Sequence, residues 1–292
     1  MSKKGIPLPA DEVRFRMKIA LREIGIPPRP KILARIEEEM ARDEPNFHLL
    51  AELLRSDVAL AAGLIKTVNS PYYGLRQKVG SIREAMTLLG LRQIAQAVAG
   101  LALREAFQHL PAMERFWDAS AKTAGLTAWL TRQLRTRLGI APEEAYTFAL
   151  FRDCGIPTLM MPFEDYIAVL ACANAEKTRS FTAVEEALIG VNHALIGAQL
   201  ANDWGLPANM VAAIRWHHDW AALAGESSPP LERASRHLIA VAQVAEFLVQ
   251  QHYSQTITLE WAKLGPSALA DLGLDEIALA QLAAEVKWLP ET

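Results

Sequence analysis

Residues 188–220 read LIGVNHALIGAQLANDWGLPANMVAAIRWHHDW, and this stretch constrains the fold more than any other. Ile196, Leu200 and Trp204 recur at i, i+4 and i+8, which lines up one face of a helix. Asn192 can cap that helix. Gly205 suits the position just past its end, and Pro207 suits the first position of the next helix. In the second helix Met210 and Ile214 lead, at the same spacing, to the adjacent pair His217 and His218. The pattern therefore delivers an imidazole to the apolar side of each helix: His193 at the start of the first, His217 or His218 at the end of the second. Buried imidazoles need partners, so the three point to a metal or to a dense hydrogen-bond network, and the network is the expectation. Side chains of adjacent helical residues point about 100° apart. One of His217 and His218 is thus expected to face the site and the other to meet a loop.

The rest of the chain is also helical in pattern. Residues 11–24, 30–42, 46–55 and 57–68 carry apolar residues at three-four spacing, divided by Pro or a capping acid. Pro71 and Gly74 make 69–74 a loop, with Asn69 closing its turn. Ser81 and Glu84 form a capping box ahead of Met86, Leu88 and Leu89. Gly90 breaks that run, and Leu91 to Phe107 follows as another helix. Gly225 to Pro230 reads as a surface loop, Leu231 to Gln251 as a long helix, and Glu276 to Trp288 as an amphipathic one. Strand alternation and fixed-period repeats are missing from the sequence, so the expected class is all-α.

Composition excludes some partners. A net charge of -3 gives no general pull toward nucleic acid or anionic membrane. The basic run Arg132, Arg135 and Arg137 lacks interleaved aromatics and reads as a solvated helix face. The N-terminal helices tolerate a helix-turn-helix reading, but nucleic acid is not the expected partner. Hydrophobic residues at 51% and charged ones at 22% are ordinary for a globular chain, and no apolar window of about 18 uncharged residues suggests a membrane span. Cys154 and Cys172 lie in apolar stretches, which with the absence of a signal-peptide pattern points to the reducing cytoplasm.

Several motifs occur in a telling order: LLRSDVALAAGLIKTVNSPYYG at 53–74, VGSIREAMTLLG at 79–90, FWDASAKTAG at 116–125, ALFRDCGIP at 149–157, and then the two-helix stretch. Together they resemble the HDOD family, helical signalling modules related to HD and HD-GYP metal phosphohydrolases. The resemblance spans roughly residues 27–248. It implies a helical bundle of HD-domain-like type, with an N-terminal HDOD helical subdomain over residues 1–110. The HD-like bundle and the C-terminal helices would then occupy 111–292.

The resemblance also implies where an HD metal site would lie. Catalytic relatives supply a histidine on an early helix, a His-Asp pair and an aspartate on a late helix, with further histidines where a second ion binds. Here the early position corresponds to Ala119, the pair to Arg152-Asp153, and the late position to Ala242-Gln243, where no acid stands. A guanidinium is a permanent cation and cannot ligate a metal. Either Arg152 neutralises Asp153 in a vestigial pocket, or it points to solvent while Asp153 caps a turn. No cofactor is expected; any residual ion would fall to Asp153, His193, His217 and His218. His48, His109, His237 and His252 match no motif and read as surface or packing residues. Trp204, Trp216 and Trp220 read as packing anchors. The expected function is a non-catalytic bacterial signal-transduction module acting through a protein partner. The alternative is an HD-type metal-dependent phosphohydrolase acting on a nucleotide or phosphodiester.

Overall fold

The computed structural model describes residues 26–69, 75, 77–110, 113–227, 230–253 and 258–286. The helix expected over 11–24, the Pro71–Gly74 loop and the end of the helix expected to reach Trp288 lie outside them. Among the described residues the regular structure is entirely helical. The helices are α1 (Lys31–Met40), α2 (Phe47–Ser56), α3 (Val58–Val68), α4 (Ile82–Ala106), α5 (Glu114–Gln133), α6 (Arg135–Leu138), α7 (Pro142–Phe151) and α8 (Gly155–Met160). After them come α9 (Tyr166–Ala175), α10 (Phe181–Ile189), α11 (His193–Asp203), α12 (Ala208–Trp216), α13 (Trp220–Ala224), α14 (Arg233–Tyr253), α15 (Glu260–Leu272) and α16 (Glu276–Glu285).

The capping chemistry sets most boundaries. Asn46, Asp57, Ser81, Asn192 and Asp275 each accept a backbone N–H from the first turn of their helix. At Ser81 the box is shifted by one residue. The hydroxyl accepts from Glu84 N at 3.2 Å, but the Glu84 carboxylate takes Gly80 N at 2.9 Å rather than the N–H of Ser81 itself. Gly90 adopts φ 77° and ψ 166°, open to glycine at no steric cost and outside the helical region, so α4 is two helical segments, 82–89 and 91–106, meeting at a kink where the sequence predicts the break. Gly205 also takes a positive φ, 79°, after α11. Pro207 stands one position earlier than expected, as the residue preceding α12 rather than its first. Asn69 clamps the two ends of its loop, bonding both the N–H and the carbonyl of Val79 at 2.8 and 2.9 Å.

The main apolar core draws on residues from Leu33 to Val286, with two smaller clusters around Tyr166 and Phe181. Helices α1, α2 and α3 pack on α4, and α4 packs in turn on α7. Behind it α5, α7 and α14 form the centre of the bundle, with α12 and α15 against α14. Helix α4 is long and apolar enough to cross a membrane by length and composition, but it serves here as a core helix with residues such as Ile94, Val98 and Leu103 buried. Trp204 ties the N-terminal segment to α11: its indole N–H donates to Pro27 O at 3.0 Å, and its ring meets Phe151 edge-on. Trp216 and Trp220, expected as packing anchors, are instead each 40% exposed, because α12 ends at Trp216 and α13 begins at Trp220 on the rim.

Helices α8 and α11 approach each other closely. A Cβ on Gly155 would sit 2.0 Å from His193 O and 2.8 Å from Gly197 N. Gly197 in turn faces Gly155 N and the Cys154 thiol. Two glycines thus let the backbones touch, which brings Asp153, just ahead of α8, beside His193 at the start of α11. Gly155→Ala is expected to destabilise the fold by about 3 kcal/mol or more, because the obstruction is backbone and cannot rotate away. Urea unfolding that shows a midpoint within error of the parent would contradict this packing.

Candidate functional site

Four side chains converge where α8, α11 and the α12–α13 turn meet. The ligand atoms of Asp153, His193, His217 and His218 all lie within 4.8 Å of one another. Both members of the adjacent histidine pair face this point, which corrects the expectation that one would turn away. Helical phase does not carry through them: His217 is the cap residue just past α12, and His218 follows in the turn. The three imidazole residues are buried, while the Asp153 side chain keeps 22% exposure.

Each imidazole is held by its Nδ1. His193 Nδ1 meets Glu185 Oε2 at 2.7 Å, His217 Nδ1 meets Ile214 O at 2.8 Å, and His218 Nδ1 meets Glu260 Oε2 at 2.6 Å. The Nε2 atoms therefore point inward. His217 Nε2 lies 3.2 Å from Asp153 Oδ1, His193 Nε2 lies 3.6 Å from it, and the two Nε2 atoms are 3.3 Å apart. Behind these contacts Glu185 also accepts the Tyr166 hydroxyl, and Glu260 pairs with Lys263. Phe181 stacks on His218 and meets His193 edge-on.

Arg152 closes the other side. It is 5% exposed, so the reading in which it points to solvent is excluded. Its Nε and Nη2 donate to Asp153 Oδ2 at 3.2 and 3.0 Å, and Nη2 also reaches Glu246 Oε2 at 3.0 Å. Asp153 thus gives one oxygen to the imidazoles and the other to the guanidinium. Gln243, at the late-helix position, is buried, and Glu246 stands one turn further along α14. Ala119 is half-buried on α5 and offers no donor atom.

Charge follows from these contacts. Burial favours a protonated Asp153, but Arg152 and the two histidine contacts outweigh it and hold the carboxyl well below its usual range. Burial raises Glu246, against the pull of Arg152. Burial also works against a proton on His193, yet Glu185 and Asp153 push its pKa up to about 9. His217 is pushed down to about 3 by burial and by His218 beside it. Burial opposes the charge on Glu260, but His218 and Lys263 bring it down to about 2.

An HD-type fold implies bound cations, and the donor set here fits one of two positions. Three imidazoles and one carboxylate suit a transition metal, and the Nδ1 contacts are the outer hydrogen bonds that orient such ligands. The other position, which the family resemblance implies at Ala119, Arg152, Asp153 and Gln243, would offer one carboxylate beside a permanent cation. Glu185, Glu246 and Glu260 escaped the sequence reading because they belong to no motif. The one available signal was the need of three buried imidazoles for acceptors.

Fold and site together define an all-α module of the HD type. The chain belongs to the HDOD domain family, whose family model matches residues 26–220. Three solved structures align along nearly the whole chain. A Shewanella amazonensis protein with a provisional phosphohydrolase name has TM-score 0.68 and 21% identity, covering 93% of this chain and 94% of its own. An HDOD domain protein of unknown function from Geobacter sulfurreducens has TM-score 0.65 and 22% identity, covering 94% of each chain. A Marinobacter aquaeolei VT8 protein with a provisional signal-transduction name has TM-score 0.69 and 19% identity, covering 94% of this chain and 62% of its own. At such identities the likeness is one of fold. An uncharacterised Treponema pallidum (strain Nichols) protein is 24% identical over 217 residues, which is 74% of this chain and 42% of that protein. The chain thus spans less than half the length of that relative.

In ion-free protein, His193 keeps its proton to about pH 9 when folded and to about 6.5 when unfolded. The stability it contributes is complete below pH 6.5 and is lost as pH rises through 9. The unfolding free energy is expected to fall by up to roughly 3 kcal/mol across that window, and Glu185→Gln should flatten the fall. His217 acts outside the window: neutral in the fold, it costs stability as pH drops below 6.5. Urea unfolding at stepped pH after chelation checks this; a flat profile from 6.5 to 9 would contradict it.

Proposed function

We propose that this chain is a non-hydrolytic regulatory module that acts by contact with another protein in a bacterial signalling pathway. The observation that carries the reading is the placement of Arg152. Its buried guanidinium lies against Asp153 and Glu246, at the sequence position that the family resemblance assigns to the histidine of the His-Asp pair. Hydrolysis of a phosphate ester by this chemistry needs metal to bind the phosphoryl oxygens and to activate water. With Ala119 and Gln243 in place of ligands, and a permanent positive charge in place of the pair's histidine, a two-ion centre has no room to form. The site on this reading is retained as a scaffold that orders the α8–α11 contact.

Other features agree with a docking role. Phe47, Leu49, Val58 and Leu88 on the N-terminal helices are exposed apolar residues. A cleft of about 620 Å³ is lined by Pro27, Lys31, Arg35, Leu53, Asp57 and Glu105 among others; none of these belongs to the histidine cluster. Neither cysteine is bridged, which suits a reducing compartment such as the cytoplasm. Names of fold relatives include both a signal-transduction protein and a phosphohydrolase, so they favour neither activity.

The second reading, a metal-dependent phosphohydrolase acting on a nucleotide or phosphodiester, draws on the convergence of Asp153 with three histidines. Turnover separates the two. Purified chain supplied with Mn²⁺, Fe²⁺ or Ni²⁺ and offered bis-p-nitrophenyl phosphate, nucleoside monophosphates and cyclic dinucleotides is expected to release no more product than Asp153→Ala. Turnover at least ten times that background would overturn the regulatory reading.

A further inference from the structure

The three imidazoles and Asp153 are arranged as if a positive centre belonged between them. With Nδ1 of each histidine committed to Glu185, Ile214 O or Glu260, only the Nε2 atoms face inward, each free to take a proton or to give a lone pair to a cation. They face the Asp153 carboxylate and one another: Nε2 of His217 lies 3.2 Å from Oδ1, and the two Nε2 atoms of His193 and His217 lie 3.3 Å apart. Acceptor against acceptor at such distances repels unless a proton or a cation lies between.

The spacing suits a cation. A tetrahedral ion with bonds of about 2.1 Å has ligands roughly 3.4 Å apart. The Asp153–His217, His193–His217 and Asp153–His193 separations are 3.2, 3.3 and 3.6 Å. His218 completes the set within 4.8 Å of the others. On the far side of Asp153, Oδ2 is already taken by the guanidinium. The carboxylate therefore stands between one place made for an ion and one filled by a fixed charge.

We propose that Asp153, His193, His217 and His218 hold one divalent transition-metal ion, and that Arg152 is the built-in substitute for a second. Three imidazoles select a borderline metal such as Zn²⁺, Fe²⁺ or Ni²⁺ over Mg²⁺ or Ca²⁺, which want oxygen ligands. The ion ties the segment before α8 to the start of α11 and to the α12–α13 turn. The bridging mode of Asp153, ion on Oδ1 and guanidinium on Oδ2, keeps the stoichiometry at one. This inference concerns occupancy and stands apart from whether the chain hydrolyses anything.

Elemental analysis of the 292-residue chain purified without chelator tests it. The expected result is close to one equivalent of a transition metal per chain, with Co²⁺ after chelation giving the visible d–d bands of a four- or five-coordinate nitrogen-rich site. His193→Ala and His218→Ala should each lose the ion. Should those variants fail to fold, Co²⁺ titration of stripped wild-type chain gives the same stoichiometry directly. Arg152→Gln removes the charge while leaving a shorter polar side chain, and it should tighten ion binding several-fold against a competing chelator. No bound ion, or two ions per wild-type chain, would overturn the proposal. Weaker ion binding in Arg152→Gln would show that Arg152 merely positions Asp153 and would overturn its role as a cation substitute. A metal-free chain without turnover would sink this inference and leave the regulatory reading in place.

Discussion

Asp153 is shared between two kinds of positive partner, and the local structure is built to keep it so. One carboxylate oxygen faces the imidazoles of His193 and His217, and the other faces the Arg152 guanidinium. That division depends on the backbone contact between Gly155 and the His193–Gly197 turn, which leaves no room for a Cβ. It depends also on the capping of α11 by Asn192, whose side chain accepts Leu195 N at 2.8 Å and starts the helix at His193. A change at any of these residues acts on the site through geometry rather than through a lost ligand.

The polar chain extends well beyond the cluster. It runs from Tyr166 through Glu185 to His193, on to Asp153 and Arg152, and ends at Glu246; a branch runs from His218 through Glu260 to Lys263. Taking charges out of water costs several kcal/mol per ion even after relaxation, and only close pairing offsets that. A purely structural core would be at least as stable with apolar residues in these places. Retaining the charges is therefore a sign of a constraint other than stability, and a site that responds to an ion or aligns a docking face supplies one.

Much of the fold was legible because helices announce themselves locally. Asn46, Asp57, Ser81 and Asn192 cap where their side-chain chemistry says they should, and Gly90 and Gly205 adopt the positive-φ conformations their positions imply. The site was legible only in part. Asp153, His193, His217 and His218 could be picked out by resemblance, as could the substitution at Arg152. Their partners could not, because Glu185, Glu246 and Glu260 arrive from helices whose packing is a tertiary fact. The adjacent pair His217-His218 misled for a definite reason: the 100° rule holds inside a helix, and these residues lie where α12 stops. Trp216 and Trp220 fall on the rim for the same reason, flanking the turn rather than filling the core.

This chain, a member of the HDOD domain family, brings three imidazoles and Asp153 together beside the buried guanidinium of Arg152. What separates a scaffold from an enzyme here is the number of positive centres that are metal. Anomalous diffraction from crystals soaked in Mn²⁺ and Zn²⁺ measures that number directly. The account requires at most one peak, inside the ring of Nε2 atoms, with Arg152 still bonded to Asp153 and Glu246. Two peaks roughly 3.5–4 Å apart, the spacing of a two-metal hydrolase, with Arg152 displaced, would contradict it.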